Sequence, residues 1–170
     1  MALSIPPGTP QSVNPAVTPT WIFTPNTSAP NTIEVTNIGQ YTVYVGKSGC
    51  AQASGFPVNP GSRPLKLQNV NATLYATSRV SVGSSVSTLN AAYTAGTTSI
   101  VTASSVATSS TVLVVGSTVN TGWEAVAVSA VSADGTTVTT SALLMDHGSG
   151  QIVYSATAQL GQIRVTAGVV

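Results

Sequence analysis

The stretch WEAVAVSAVSADGTTVTT, residues 123–140, decides the fold class. Valine and threonine lose χ1 freedom in a helix and pack well on a pleated surface, so runs in which they recur favour strands. Asp134 and Gly135 separate two such runs, and an Asp-Gly pair accepts the positive φ angles of a type I′ hairpin turn. Because no segment supports a helix of ten or more residues, the sequence predicts an all-β fold.

The section before this stretch predicts an arm and a first β unit. Residues 1–30 are rich in proline and lack hydrophobic periodicity, which indicates an extended arm. From residue 31 onward, TIEVTN and YTVYV alternate apolar and polar side chains. After a glycine- and proline-rich loop, the same pattern returns in LKLQNV and ATLYATSRVSV. Residues 31–82 are therefore predicted to form a small β unit.

A second β unit is predicted over residues 84–170. The texture changes after Gly83 to serine, threonine, valine and alanine, and we expect strands at TSIVTA, TVLVVG, WEAVAVSAV, TTVTTSAL, QIVYSA and QIRVTA. The chain is thus expected to be an N-terminal extended arm followed by two small antiparallel β-sandwich or β-barrel-like units.

The low charge content excludes several classes of function. Only 5% of the residues are charged, against about 25% in average soluble proteins. Nucleic-acid binders cluster lysine and arginine, whereas the five basic residues here are scattered and offset by four acidic ones. We therefore expect a largely neutral surface and no nucleic-acid partner.

Membrane and export signals are not predicted either. Serine, threonine and glycine interrupt every apolar run before it reaches the length of about 18 residues that a membrane span needs. The segment MALSIPPGTP lacks a positively charged region and is broken at Pro6 and Pro7, which predicts no signal peptide and synthesis in the cytoplasm. Cys50 is the only cysteine, so no internal disulfide is possible, and we expect a packing residue rather than a reactive thiol.

No catalytic, cofactor-binding or metal site is predicted. His147 follows Asp146, as in a base with an orienting carboxylate, but neighbours in a turn usually point apart and no serine has a G-x-S-x-G context. We expect Asp146 to cap local N–H groups and His147 to lie at a subunit contact. One histidine, one cysteine and two aspartates spread along the chain give no usable metal-ligand spacing.

Trp123 and Glu124 leave two interpretations open. A tryptophan beside a carboxylate can form a platform on which a sugar stacks. The interpretation that we favour places Glu124 in solvent and Trp123 in the core, because charged side chains are rarely buried.

Two longer segments resemble virion proteins of tailed bacteriophages. NTIEVTNIGQYTVYVGKSGCAQASGFPVNPGSRPLKLQNVNATLYATS is similar to a small β-module in which a hairpin ending in "tVYVG" precedes a "GFPv.pG" loop and an "LYA" strand. TTSIVTASS, GWEAVAVSAVSADGTTVTTSALL and DHGSGQIVY are similar to a second virion module. The resemblance implies a capsid decoration (cement) protein or head-fibre base. Such a protein is made in the host cytoplasm and binds the major capsid protein on the capsid surface of the virion.

The alternative function is a carbohydrate-binding or host-adhesion β-module of a phage spike or fibre, supported by Trp123 and the five tyrosines. In either case small side chains and long strand edges favour self-association, and we expect a homotrimer or another ring of copies.

The stretch TWIFTP, residues 20–25, holds the candidate interface residues Trp21, Ile22 and Phe23. One hypothesis is that the arm is a docking strap whose aromatic trio anchors on a neighbouring subunit or on the capsid protein. The competing hypothesis is that TWIF packs back on the first β unit as an edge strand.

Overall fold

The computed structural model describes residues 10–25, 31–50, 52, 54–116 and 122–168. Within them the chain is all-β, as the sequence predicts. The strands are β1 Gln11–Val13, β2 Thr20–Phe23, β3 Ile33–Asn37, β4 Val43–Gly46, β5 Phe56–Val58, β6 Leu65–Leu67, β7 Leu74–Thr88, β8 Ser99–Val101, β9 Val112–Gly116, β10 Trp123–Val131, β11 Thr137–Thr140, β12 Ile152–Gln159 and β13 Ile163–Ala167.

The chain divides into two compact units whose boundaries differ from the predicted ones. Unit 1 comprises Met1–Arg79 and Gln159–Val170, and unit 2 comprises Val80–Ala158. The C-terminal strand β13 was predicted in the second unit, but it pairs with β3 along its full length. This pairing buries Ile163 and Val165 in the apolar core of unit 1, which stabilises it. Their position near the end of the sequence does not reveal that they belong to this unit.

Unit 1 is built from two four-stranded groups. One sheet has the order β1-β13-β3-β6, and the other places β4 and β2 against the first half of β7, with β5 beyond β4. Alternate residues of β3 and β4, such as Ile33, Val35, Val43 and Val45, point into one apolar core. The arrangement fits the predicted sandwich.

The described part of the predicted arm belongs to unit 1. Strand β1 pairs with β13, and β2 pairs with β7. Strands β1 and β2 are extended, with a bend at residues 17 and 18 between them, and their ladder bonds and apolar side chains tie them to the β unit. The rest of the predicted arm lies outside the described residues.

Unit 2 is a closed, barrel-like sheet. From the second half of β7 the order runs β12, β9, β10, β11 and β8. An antiparallel bridge between Leu89 and Thr102 joins β8 to the end of β7, and the N–H of Asn90 donates to Val101 O at 2.9 Å. Closure removes the open edges that this sheet would otherwise expose.

The hairpin predicted at Asp134 and Gly135 is confirmed, but its turn type is not I′. Strands β10 and β11 flank it, and Gly135 N donates to Ser132 O at 2.8 Å. Gly135 has φ of 77°, while Asp134 is not among the residues with positive φ, so only one of the two positive angles of a type I′ turn is present. The Asp134 side chain accepts from the Thr136 N–H at 3.1 Å and stabilises this turn.

Candidate functional site

Unit 1 carries an uncharged surface groove, which we call the Leu160 groove. Its walls include Tyr41 and Leu160, which are 41% and 61% exposed, and its volume is about 390 Å³. The other lining residues are Asn14, Gly39, Gln40, Gly161 and Gln162. The groove therefore offers apolar side chains and neutral amides to a partner.

Asn37, at the end of β3, holds the Tyr41 side of the groove. Its Nδ2 donates to Tyr41 O at 2.9 Å and to Val58 O at 2.7 Å, and its Oδ1 accepts from the Gly39 N–H at 2.9 Å. A buried amide that satisfies both its donor and its acceptor groups fixes the surrounding backbone. The loop that carries Tyr41 consequently has a defined conformation.

The Leu160 side is fixed by backbone contacts. The N–H groups of Ile38 and Gly39 donate to Gln162 O at 2.9 and 3.1 Å. The Gly161 N–H donates to the buried Ser78 Oγ at 3.0 Å. A side chain at Gly161 would collide with Val43, so glycine lets this segment approach the sheet closely. The Leu160 side chain is thus exposed, while hydrogen bonds fix the backbone around it.

The candidate interface residues Trp21, Ile22 and Phe23 lie on β2 of unit 1. Ile22 and Phe23 belong to its apolar core, with exposures of 0% and 4%, and Trp21 is opposite Tyr75 on β7. This is the arrangement of the competing hypothesis, in which TWIF packs on the first unit. Within unit 1, Ile22 and Phe23 therefore offer almost no surface to another molecule.

Unit 2 contains a polar cluster formed by the buried Glu124 and His147 and the half-buried Gln151. Glu124 and His147 are 1% and 2% exposed. His147 Nε2 lies 2.8 Å from Glu124 Oε1, and His147 Nδ1 lies 2.6 Å from Gln151 Oε1. With Gln151 Oε1 facing Nδ1, the imidazolium, in which both nitrogens donate, satisfies both contacts.

The cluster ties the loop 141–150 to the barrel. Glu124, on β10, accepts from the Leu144 N–H at 2.8 Å through Oε2 and from the Met145 N–H at 3.2 Å through Oε1. His147 and Tyr93 exchange two backbone hydrogen bonds of 2.8 Å each. The loop is therefore held both by hydrogen bonds to the Glu124 side chain and by backbone hydrogen bonds to Tyr93.

Opposing effects act on the pKa of His147. Burial lowers the pKa because it disfavours the charged ring, whereas hydrogen bonds with Glu124 and Gln151 and the charges of Glu124 and Asp146 raise it. The outcome is a pKa above the ordinary value of 6.5. The pair has almost no contact with solvent, so its chemistry is that of an internal ion pair that holds structure.

The sequence interpretations of these residues were wrong. Glu124, expected in solvent, is buried, and Trp123, expected in the core, is partly exposed. His147, expected at a subunit contact, lies inside unit 2, and Asp146 accepts from the distant Ala95 N–H at 2.8 Å instead of capping its own turn. The signal that was missed is the alternation along the strand: Glu124 and Val126 are two residues apart, so their side chains lie on the same face of the sheet.

The remaining candidate groups are the metal-ligating side chains and Cys50. Within the described ranges no group of three or more His, Cys, Asp or Glu residues could hold a metal ion. Cys50 is buried, and burial raises the pKa of its thiol, which agrees with a packing role. In the part of the chain that the structure describes, no helix is long and apolar enough to cross a membrane.

Comparisons of the chain with protein-family models, with curated proteins and with solved structures found no match. The resemblance to virion modules therefore stays a prediction from the sequence.

Proposed function

We propose that the chain is a structural protein that binds the outside of a bacteriophage capsid and stabilises it, as decoration or cement proteins do. The structural observation that carries the proposal is the Leu160 groove, whose exposed tyrosine and leucine stand on a held backbone without a charged neighbour in the lining. Interface centres are depleted in charge and enriched in aromatic residues. A surface that is already ordered loses little entropy on binding.

The partners in this proposal are the major capsid protein and further copies of the chain, with a trimer favoured. Strand edges differ in how well they accept another strand. Strand β5 carries Pro57, which has no N–H to donate, and β6 carries the exposed Lys66. Among the described strands that end a sheet of unit 1, β1 and β2 lack both features, and we expect one of these two edges to face a neighbouring subunit.

Capsids of the virus that carries this protein, purified without it, provide the test. We expect the purified chain to bind them as a trimer, and Leu160→Ser to weaken binding by about 2 kcal/mol, the scale of an interface hot spot. The matched control is Phe56→Ser, which removes another exposed apolar side chain of unit 1 at 59% exposure, outside the groove.

Equal binding of both variants would remove the groove from the proposal. Failure of the unmodified chain to bind the capsid would overturn the proposed function itself. Sedimentation of the free and the capsid-bound chain measures the oligomeric state, and a monomer in both would contradict the trimer.

The second candidate, a carbohydrate-binding or host-adhesion module, is favoured by one feature of unit 1. Trp21 and Tyr75 lie opposite each other on β2 and β7, and both are partly exposed. Paired aromatic rings of this kind can support a sugar face. Binding on a glycan array that Trp21→Ala abolishes, together with no capsid binding, would favour this function.

A further inference from the structure

Residues 144–147 of the loop 141–150 are held by one ion pair and hydrogen bonds, whereas Leu143 at its start is anchored in the apolar core of unit 2. Its Leu144 and Met145 N–H groups both donate to the Glu124 carboxylate, and the imidazole of His147 fills the space between Glu124 and Gln151. Leu144 itself is exposed. We propose that the Glu124–His147 pair is a proton-controlled lock, which holds residues 144–147 of this loop on the barrel of unit 2 while the imidazole carries both protons and releases them when one is lost.

The contacts explain why one proton matters. A neutral imidazole has one donor and one acceptor nitrogen, so it cannot donate to Glu124 and Gln151 at once. Gln151 can turn its amide and donate to Nδ1, which leaves the ring bonded. Glu124 then remains as a buried carboxylate without a counter-ion, and a buried unpaired charge is strongly destabilising. The loop opens because opening lets water reach that carboxylate.

The groups that face His147 come from four places in unit 2. Glu124 lies on β10, Gln151 precedes β12, and Asp146 is the neighbour of His147 in the loop itself. Tyr93 lies opposite as a backbone partner, and its hydroxyl accepts from the Val101 N–H at 2.7 Å. The carboxylates of Glu124 and Asp146 both favour the protonated ring.

The direction of the pH effect follows from the raised pKa. A histidine whose pKa is higher in the folded than in the unfolded chain stabilises the fold fully below its ordinary value of 6.5. That stabilisation is lost as the pH rises through the folded pKa. For each unit by which the pKa in the folded chain exceeds that in the unfolded chain, the equilibrium constant for opening rises about tenfold. His147 is the only histidine in the chain, so this range of pH reports on it directly.

Nuclear magnetic resonance on the full chain tests the lock in two measurements. The imidazole resonances of His147 should titrate above 6.5, the ordinary value. Exchange protection factors of the Leu144 and Met145 amides, corrected for the intrinsic pH dependence of exchange, should fall through the same pH interval. Amides of β3 in unit 1 provide the internal reference and should keep their protection.

Two variants separate the lock from a general charge effect. Glu124→Gln should lower the pKa of His147 and abolish the pH dependence of the Leu144 and Met145 protection. Asp134→Asn removes an exposed carboxylate of the same unit and should leave both unchanged. The proposal is overturned if His147 titrates at or below 6.5 in the unmodified chain, or if protection of the two amides does not follow its titration.

Discussion

The two units place an ion pair in opposite surroundings. In unit 1, Lys66 Nζ lies 3.6 Å from Glu34 Oε2, and the lysine side chain is 66% exposed. In unit 2, His147 and Glu124 are 2.8 Å apart, and their side chains are 0% and 1% exposed. Water solvates either member of the first pair if the other is removed, but it cannot do so for the second. The exposed pair should therefore be dispensable, and the buried pair should be essential to its unit.

The units also differ in how the chain supplies their apolar cores. The core of unit 1 gathers residues from Val13 to Ala167, including Ile22 and Phe23 of β2. The core of unit 2 is drawn from Leu89 to Val153, one continuous section of the chain. Unit 1 consequently depends on segments from both ends of the chain, whereas unit 2 forms from one continuous section in which distant strands such as β7 and β12 pair.

Phe23→Ala is expected to have the largest effect, and it is confined to unit 1. Removing a buried phenylalanine deletes its transfer energy and leaves a cavity, which costs about 4 kcal/mol of the free energy of unfolding. Denaturant unfolding can be followed unit by unit, because Trp21 lies in unit 1 and Trp123 in unit 2. The matched control, Phe56→Ala, removes an exposed ring and should change stability by less than about 0.5 kcal/mol.

If Phe23→Ala leaves the stability of unit 1 unchanged but weakens self-association or capsid binding, β2 is an interface strand after all. That result would restore the docking-strap hypothesis for Trp21, Ile22 and Phe23.

His147→Ala should be next in size and confined to unit 2. It leaves the Glu124 carboxylate buried without a counter-ion, and breaking such pairs costs about 3 kcal/mol or more. We expect the lower end of that range because two backbone N–H groups still bind Glu124. The measurement is denaturant unfolding reported by Trp123 at neutral pH.

Glu124→Gln combined with His147→Ala is the control for this prediction. It removes the uncompensated charge, so the double variant should be more stable than His147→Ala alone. If the double variant is the less stable of the two, the cost of His147→Ala comes from lost packing and not from the bare carboxylate.

Sequence periodicity predicted the local strands because each depends on residues that are neighbours in sequence. Alternation in TIEVTN placed Ile33 and Val35 on one face, and both are fully buried. The pairing of β13 with β3 was not predictable in this way, since nothing within QIRVTA states its partner. Glu124 was missed for a related reason. Glu124 lies on the same strand face as Val126 and therefore points into the barrel. The residue that makes its buried carboxylate tolerable, His147, is 23 residues away in the sequence.

Lys66→Ala should have the smallest effect and completes the comparison of the two pairs. Lys66 lies directly opposite Glu34 on paired strands, so the geometry is favourable for a cross-strand ion pair. Water nevertheless screens the attraction and the lysine loses side-chain freedom in the pair, so we expect a loss of about 0.3 kcal/mol in unit 1. Salt at about 1 M should abolish even this difference, because the screening length shrinks to about 3 Å. A loss above about 1 kcal/mol that persists at high salt would mean that Lys66 acts through packing of its alkyl stem, and the contrast between an exposed and a buried charge pair would no longer explain the two units.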